Sequence, residues 1–311
     1  MRNIVITGAG GLVGLNLLSQ LKDQHLNIIA IDKNAKRINL IKKLFPKVQA
    51  ECIDLNQQES IWQNLFQQTE TVICLHAQIQ DLQPEPYWDN NVYSVEKVIA
   101  VAQKNNCKHF IHTSSSVVIS VSNDLYVETK TAGEKAVLNS NLQYTVLRPP
   151  LMYGCFDYKH LGFLTMLMEK LPILPFPGNG KYVRQPLYVL DLCHVIISAM
   201  HNGPSHKVHD LIGKEQIYFI DLLKIIKKKR GIKCLLLPLP LWLFAFLVKT
   251  WGIIFGKAPF VKDQITALTA GDFFELSDWE KEFDVKYTKF DEAFNQVIIS
   301  EYRDFRSGHE E

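Results

Sequence analysis

The stretch Ile4-Val5-Ile6-Thr7-Gly8-Ala9-Gly10-Gly11-Leu12-Val13-Gly14 constrains this chain more than any other. An apolar run of strand formers ends in a glycine-rich turn, and Leu15, Leu17, Leu18 and Leu21 then follow a helical pattern. Gly8, Gly11 and Gly14 stand in a G-x-x-G-x-x-G spacing. Such glycines let the chain turn tightly and bring bare backbone up to a ligand. The helix start behind them supplies free N–H groups and positive dipole. Gly8, Gly10, Gly11, Leu12, Val13 and Gly14 are therefore expected to cradle a pyrophosphate, and the chain to build an α/β parallel sheet around that turn.

The next strand, Asn27-Ile28-Ile29-Ala30-Ile31-Asp32, ends in a carboxylate eighteen residues past Gly14. A carboxylate there accepts hydrogen bonds from an adenosine ribose and repels a 2′-phosphate, which favours NAD over NADP. Lys33, Lys36 and Arg37 follow closely and could offset that repulsion. Val48 to Ile53 predict a third strand, with Asp54 and Leu55 after it placed to reach an adenine ring. A helix is expected over 59–68 and a fourth strand over Thr71–Leu75. His76 and Ala77 stand at that strand's end, where open α/β sheets bind ligands, and read as cofactor-side residues. Asn91 and Val92 are expected to begin another helix.

Chemistry enters further on. The strand His109-Phe110-Ile111-His112-Thr113 runs into Ser114-Ser115-Ser116, and Tyr126-Val127-Glu128-Thr129-Lys130 begins eleven residues past Ser115. Residues four apart share a helix face, so Tyr126 and Lys130 point the same way. A lysine ammonium beside a phenol favours the phenolate, and a serine hydroxyl can steady developing charge on a carbonyl oxygen. Ser115, Tyr126 and Lys130 are the candidate catalytic residues.

These motifs together resemble the extended short-chain dehydrogenases/reductases of the NAD-dependent epimerase/dehydratase group. The likeness runs from residue 3 to about 200. It rests on the glycine stretch, Asp32, Asp54-Leu55, Asn91-Val92, Ser114-Ser115, Tyr126-x-x-x-Lys130, Leu147-Arg148-Pro149 and Tyr153-Gly154. It implies that Ser115 orients substrate, Tyr126 gives or takes the proton, and Lys130 binds ribose and tunes the phenol. It also implies cofactor contacts at Asn91 and Pro149 and a substrate contact at Asn91. In similar sugar-nucleotide epimerases an arginine in an R-x-x-x-x-V-x-D context binds the nucleotide phosphates. Arg184 stands in such a context here. Three departures are visible. The segment from Ser115 to Tyr126 is short, Val118-Ile119-Ser120 replaces a usual Val-Tyr-Gly, and His76-Ala77-Gln78 replaces a usual His-x-Ala-Ala.

The expected architecture is thus a Rossmann-type doubly wound parallel sheet over residues 1–150, with 181–202 packing back on it. A smaller, mostly helical substrate lobe would span 151–311. Within that lobe, Leu161 to Leu171 reads as a helix, Pro172 to Gly180 as a loop, and Asp191 as a helix cap. With 34 Lys and Arg against 32 Asp and Glu, the chain carries no electrostatic signature for nucleic acid. Its six cysteines show no metal spacing and read as reduced thiols of a cytoplasmic protein. The start of the first strand at the N-terminus leaves no room for a targeting peptide.

A basic cluster over 224–233 precedes an apolar run over 234–255 that holds Trp242, Phe244, Phe246 and Trp251. That run reads either as a substrate lid or as a peripheral membrane contact. With Pro259-Phe260-Val261 and Asp263-Gln264 it loosely resembles the 3β-hydroxysteroid dehydrogenases and the accessory subunit of mitochondrial complex I. The expected function is an NAD-dependent oxidoreductase or epimerase for a secondary alcohol or ketone, nucleotide-sugar or sterol-like. The alternative is a non-catalytic NAD(P)-binding subunit of a membrane-associated complex. A small-molecule substrate is the expected partner, and a homodimer is left open.

Overall fold

The structure is a computed structural model that describes residues 2–79, 81–120, 124–255 and 273–296, with backbone alone at 251–255 and 294–296. The side chain of Trp251, Pro259 to Val261 and Asp263-Gln264 lie outside the described residues. The chain forms two units, Met1–Pro150 with Val189–Ile212 and Phe274–Lys286, and Leu151–Tyr188 with Gly213–Phe273 and Tyr287–Glu311. The return to the first unit thus begins at Val189.

The first unit is built on seven strands: β1 (Arg2–Thr7), β2 (Leu26–Asp32), β3 (Gln49–Cys52), β4 (Thr71–Cys74), β5 (His109–Thr113), β6 (Tyr144–Arg148) and β11 (Val208–Asp210). Their order across the sheet is β11-β6-β5-β4-β1-β2-β3, and every pairing is parallel. The order reverses between β1 and β4, which opens a crevice at the carboxyl ends of those strands. Parallel strands covered on both faces must be apolar throughout, and Ile4, Val5 and Ile6 are all essentially buried.

Val5, Val72, Phe110 and Val146 from four strands meet Val95 and Val98 of α4 (Ser94–Lys104) and Val137 of α5 (Leu125–Leu138) in one cluster. α1 (Leu12–Leu21) packs with α7 (Val189–Asn202). α2 (Ala35–Leu44) follows β2 and is capped by Asn34, whose side chain accepts from the Arg37 amide.

Several local expectations are corrected. Residues 59–68 form two 3-10 turns, Glu59–Ile61 and Gln63–Phe66, because Trp62 and Phe66 are both drawn fully into the core, their rings 5.4 Å apart. Asn91 and Val92 do not start a helix. They sit in a π turn, Asp89–Tyr93, that joins the short α3 (Glu85–Trp88) to α4. Asp191 is a buried residue inside the first turn of α7, which starts two residues earlier.

The second unit holds β7 (Met152–Tyr153) beside β10 (Leu187–Tyr188), β9 (Val183–Arg184) beside β12 (Ile217–Tyr218), and the helices α6 (Leu161–Lys170), α8 (Phe219–Arg230) and α9 (Leu241–Phe255). The expected loop over 172–180 contains β8 (Ile173–Pro177), which pairs in parallel with β13 (Leu235–Leu239). Prolines are tolerated in such a two-stranded edge because few of its N–H groups need partners.

One ion pair fixes α5 to the sheet. Arg148, at the end of β6, donates from Nε to Glu134 Oε2 at 2.8 Å and from a second nitrogen to Oε1. The Glu134 side chain is 4% exposed. Removing one partner of a buried pair strands the other charge, at about 3–5 kcal/mol. Arg148→Met should therefore lower the unfolding free energy by roughly that amount in a urea titration. A loss within the noise of an exposed substitution would mean that this pair does not hold the helix.

Candidate active site

The glycine turn adopts the geometry its spacing predicts. Gly8 has φ +67, and a Cβ there would lie 2.6 Å from the backbone of His76. A Cβ on Gly14 would come within 2.4 Å of the Ala9 carbonyl oxygen, so α1 can approach the turn only with glycine at that position. α1 begins after Gly11 with no side chain capping it and no acidic residue in its first turn. Helix-start N–H groups that no side chain caps suit a pyrophosphate, so this turn fits the dinucleotide that its spacing implies.

Asp32 and Arg37 hold the turn through the two backbone polar groups of Gly10. Asp32 Oδ2 accepts from the Gly10 amide at 2.9 Å, and an Arg37 nitrogen donates to the Gly10 carbonyl at 3.1 Å. Lys33 Nζ donates to Asn90 Oδ1 at 2.8 Å. Leu55 is buried in the core with Trp62 and Ile99. Asp54 Oδ1 accepts from the Asn56 amide at 2.9 Å.

His76 bridges two elements. Its Nδ1 lies 2.7 Å from Thr7 Oγ1 at the end of β1, and its Nε2 lies 2.9 Å from Ser94 Oγ at the start of α4. Desolvation first, then the charges of Lys130 and Lys33, pull its pKa down to about 3, so the ring is neutral and acts as a strut. Ala77 follows it, partly buried. Asn91 is a second strut. Its Oδ1 accepts from the Gln78 amide at 2.8 Å, and its Nδ2 donates to the Gln78 carbonyl and to Thr129 Oγ1, each at 3.0 Å.

Ser115 follows β5, and Tyr126 and Lys130 lie one turn apart on α5. Asp124 caps α5, accepting from the Val127 amide at 2.9 Å, which sets Tyr126 in the first turn and Lys130 one turn later. Ser115 lies close enough to Tyr126 to lower the pKa of its phenol. Ser115 Oγ accepts from the Val117 amide at 3.3 Å. Ser116 donates its amide to the carbonyl of the buried Pro149 at 3.0 Å, tying the serine run to the end of β6. Lys130 is 2% exposed, and its ammonium donates to the Thr113 carbonyl at 3.0 Å.

Burial pulls the Lys130 ammonium down to about 8, with Cys74 and Glu134 opposing. Burial pushes the Tyr126 phenol up to about 12, Ser115 lowers it, and Asp124 and Tyr87 raise it. This differs from the expected lysine-lowered phenol: here the ammonium is turned to the strand carbonyl, and desolvation of the phenolate dominates.

Arg184 lies in the second unit. It donates to the Val183 carbonyl at 3.1 Å, and its guanidinium sits 5.2 Å from the centre of the Tyr182 ring. Sequence reasoning missed Thr7, Ser94, Thr129 and Arg37 as the partners that hold the site. Thr7 stands within the glycine motif, but nothing local marks Ser94 or Thr129.

The match with known proteins agrees with this geometry. Residues 4–211 match the NAD dependent epimerase/dehydratase family. The NADH dehydrogenase (ubiquinone) 1 alpha subcomplex subunit 9, mitochondrial, of Arabidopsis thaliana is 25% identical over 228 residues, covering 71% of this chain and 56% of that protein. This chain thus spans just over half of that relative. The 4-hydroxy-2-methyl-3-oxo-4-farnesyl-3,4-dihydroquinoline-1-oxide ketoreductase of Stigmatella aurantiaca is 22% identical over 255 residues, 73% of each chain. The fold is similar to that of a UDP-glucose 4-epimerase from Thermotoga maritima solved with UDP-glucose, at a TM-score of 0.77, 17% identity and 99% coverage of both chains. With more than half of its length matched, this chain belongs to the NAD dependent epimerase/dehydratase family.

Proposed function

We propose that this chain is an NAD-dependent oxidoreductase or epimerase acting on a secondary alcohol or ketone. The observation that carries the reading is Ser115 set near enough to Tyr126 to lower its phenol, one helical turn before the buried Lys130. Ser115 follows β5, two strands across the sheet from β1, which runs into the glycine turn. Asp32 would face the adenosine ribose. NAD is favoured over NADP because Arg37 and Lys33, which could serve a 2′-phosphate, are engaged with Gly10 and Asn90.

When bound, the nicotinamide would take hydride from the substrate carbon or return it. The protein's part is the proton. Tyr126 Oη would accept it from the substrate hydroxyl during oxidation and give it back to the oxygen during reduction. Ser115 would donate to that same oxygen and hold it against Tyr126. Lys130 has three donors, of which Thr113 engages one, and the others would face the ribose. Its charge would draw the phenol down from its high resting value once the site is filled. Asn91 and His76 would position rather than react, since their polar atoms already join the strand ends to the helices.

Two substrate classes remain: nucleotide sugars, with Arg184 as a phosphate contact, and sterol-like or other lipid alcohols. UDP-glucose in the Thermotoga maritima protein supports the first. The farnesylated quinoline substrate named for the Stigmatella aurantiaca ketoreductase supports the second.

A second reading is an NAD(P)-binding accessory subunit. The relative named as a mitochondrial NADH dehydrogenase subunit favours it. So does the high resting pKa of Tyr126.

Tyr126→Phe separates the two. It deletes only the proton carrier, so NAD binding should persist while turnover of a reactive nucleotide sugar or hydroxysteroid falls on the order of 10²–10⁴-fold. Unchanged turnover would refute the assignment, and NAD binding with no turnover by the unmutated protein on either class would favour the accessory subunit.

The resting state of Lys130 has its own test. Its folded pKa of about 8 lies below the ordinary 10.5. Below pH 8 both states are protonated and the folded protein bears the full cost of burying the charge. Between pH 8 and 10.5 the unfolded chain holds more protons, so stability should climb with pH. Lys130→Met lacks this titration. The unmutated protein should therefore gain on the order of 2 kcal/mol relative to the variant between pH 7.5 and 10 in urea titrations. A constant difference would mean that the ammonium is not desolvated.

A further inference from the structure

We infer that the second unit carries a docking surface for a membrane rich in anionic lipid, formed by β8, β13 and α9 together. The parallel register sets Ile173 beside Leu235 and Pro175 beside Leu237. Side chains alternate along a strand, so all four share one face of the pair. That face is open, with Ile173, Leu235 and Leu237 44%, 56% and 40% exposed, whereas Leu174 and Phe176 on the other face are buried. α9 continues the apolar surface. Trp242 and Phe246 lie four residues apart on one side of the helix and are 71% and 61% exposed, while Phe244 is buried. Scattered apolar residues on a surface are ordinary, but a sheet face and the following helix side exposed together are not.

Charge selects the occupant. Between Asp221 and Asp263 the sequence holds nine Lys and Arg and no Asp or Glu. Lys224, Lys229 and Arg230 are neutralised by Asp221, Asp291 and Glu169. Lys228, Lys233 and Lys249 are exposed. Lys233 stands two residues before Leu235, and Lys249 lies one turn beyond Phe246. Apolar and aromatic side chains ringed by lysines match the boundary between acyl chains and anionic headgroups. No helix among the described residues is long and apolar enough to cross a membrane, so the contact would be peripheral. This surface lies wholly in the second unit and does not rest on the reading of the Ser115–Tyr126 site.

The test is flotation of the full chain with vesicles of phosphatidylcholine alone or mixed with phosphatidylglycerol, at low and high salt. The protein should float with the mixed vesicles at low salt, much less at high salt, and poorly with phosphatidylcholine alone. Lys233→Glu and Lys249→Glu should each weaken partitioning about fivefold or more. Trp242→Glu with Phe246→Glu should abolish it without moving the thermal midpoint, since both side chains are open to water. Failure to float with the mixed vesicles at low salt would overturn the proposal, whatever the variants do. So would equal flotation on both vesicle types. A dimer in light scattering that the double variant dissociates, with no vesicle binding, would assign the face to a second copy of the chain and overturn it as well.

Discussion

A lysine ammonium shut away from water is unfavourable unless its surroundings supply what water did, and the site depends on how Lys130 meets that constraint. The Thr113 carbonyl at the end of β5 takes one of its protons. The Glu134 carboxylate opposes the loss of its charge. That carboxylate is held in turn by Arg148 from β6. α5 is thus fastened at Lys130 and at Glu134, and by Asn91 through Thr129. Tyr126 belongs to the first turn of the same helix, so its place beside Ser115 follows from these bonds. The same ammonium helps hold His76 and His112 neutral, which suits groups that sit at strand ends without taking a proton.

The glycine turn is held by a different logic. Bare backbone is needed where a phosphate would approach, and bare backbone has little to fix it in place. Asp32 and Arg37 fix it by bonding the N–H and the carbonyl of Gly10, in two successive peptides. His76 fixes it from below, its backbone occupying the space that a side chain on Gly8 would need. Asp32 therefore holds the turn itself, and Arg37 has a donor committed to the Gly10 carbonyl.

Much of this was legible in the sequence, for local reasons. β1, β2 and β4 each carry a short apolar run (Ile4–Ile6, Ile28–Ile31 and Val72–Cys74), and a sheet buried on both faces demands that pattern. The Tyr126 and Lys130 spacing required only a helix, and Asp124 supplies its cap. The misses have physical causes too. Trp62 and Phe66 have helical spacing, yet two large rings pulled into one core favoured tighter turns over a regular helix. The prolines of β8 looked like a loop because the strand's partner, β13, comes some sixty residues later. Ser94, Thr129 and Glu134 act through bonds to distant positions, and no local pattern announces them. The lowering of the Tyr126 phenol was inferred from spacing alone, but spacing does not tell which way an ammonium turns.

The central claim is that the turn from Gly8 to Gly14, closed by Asp32, is the site of a dinucleotide that lacks a 2′-phosphate. Calorimetric titration of the purified protein with NAD and with NADP tests it most directly. The account predicts saturable binding of NAD at one site per chain, tighter than that of NADP. No saturable binding of either nucleotide, or tighter binding of NADP, would contradict it.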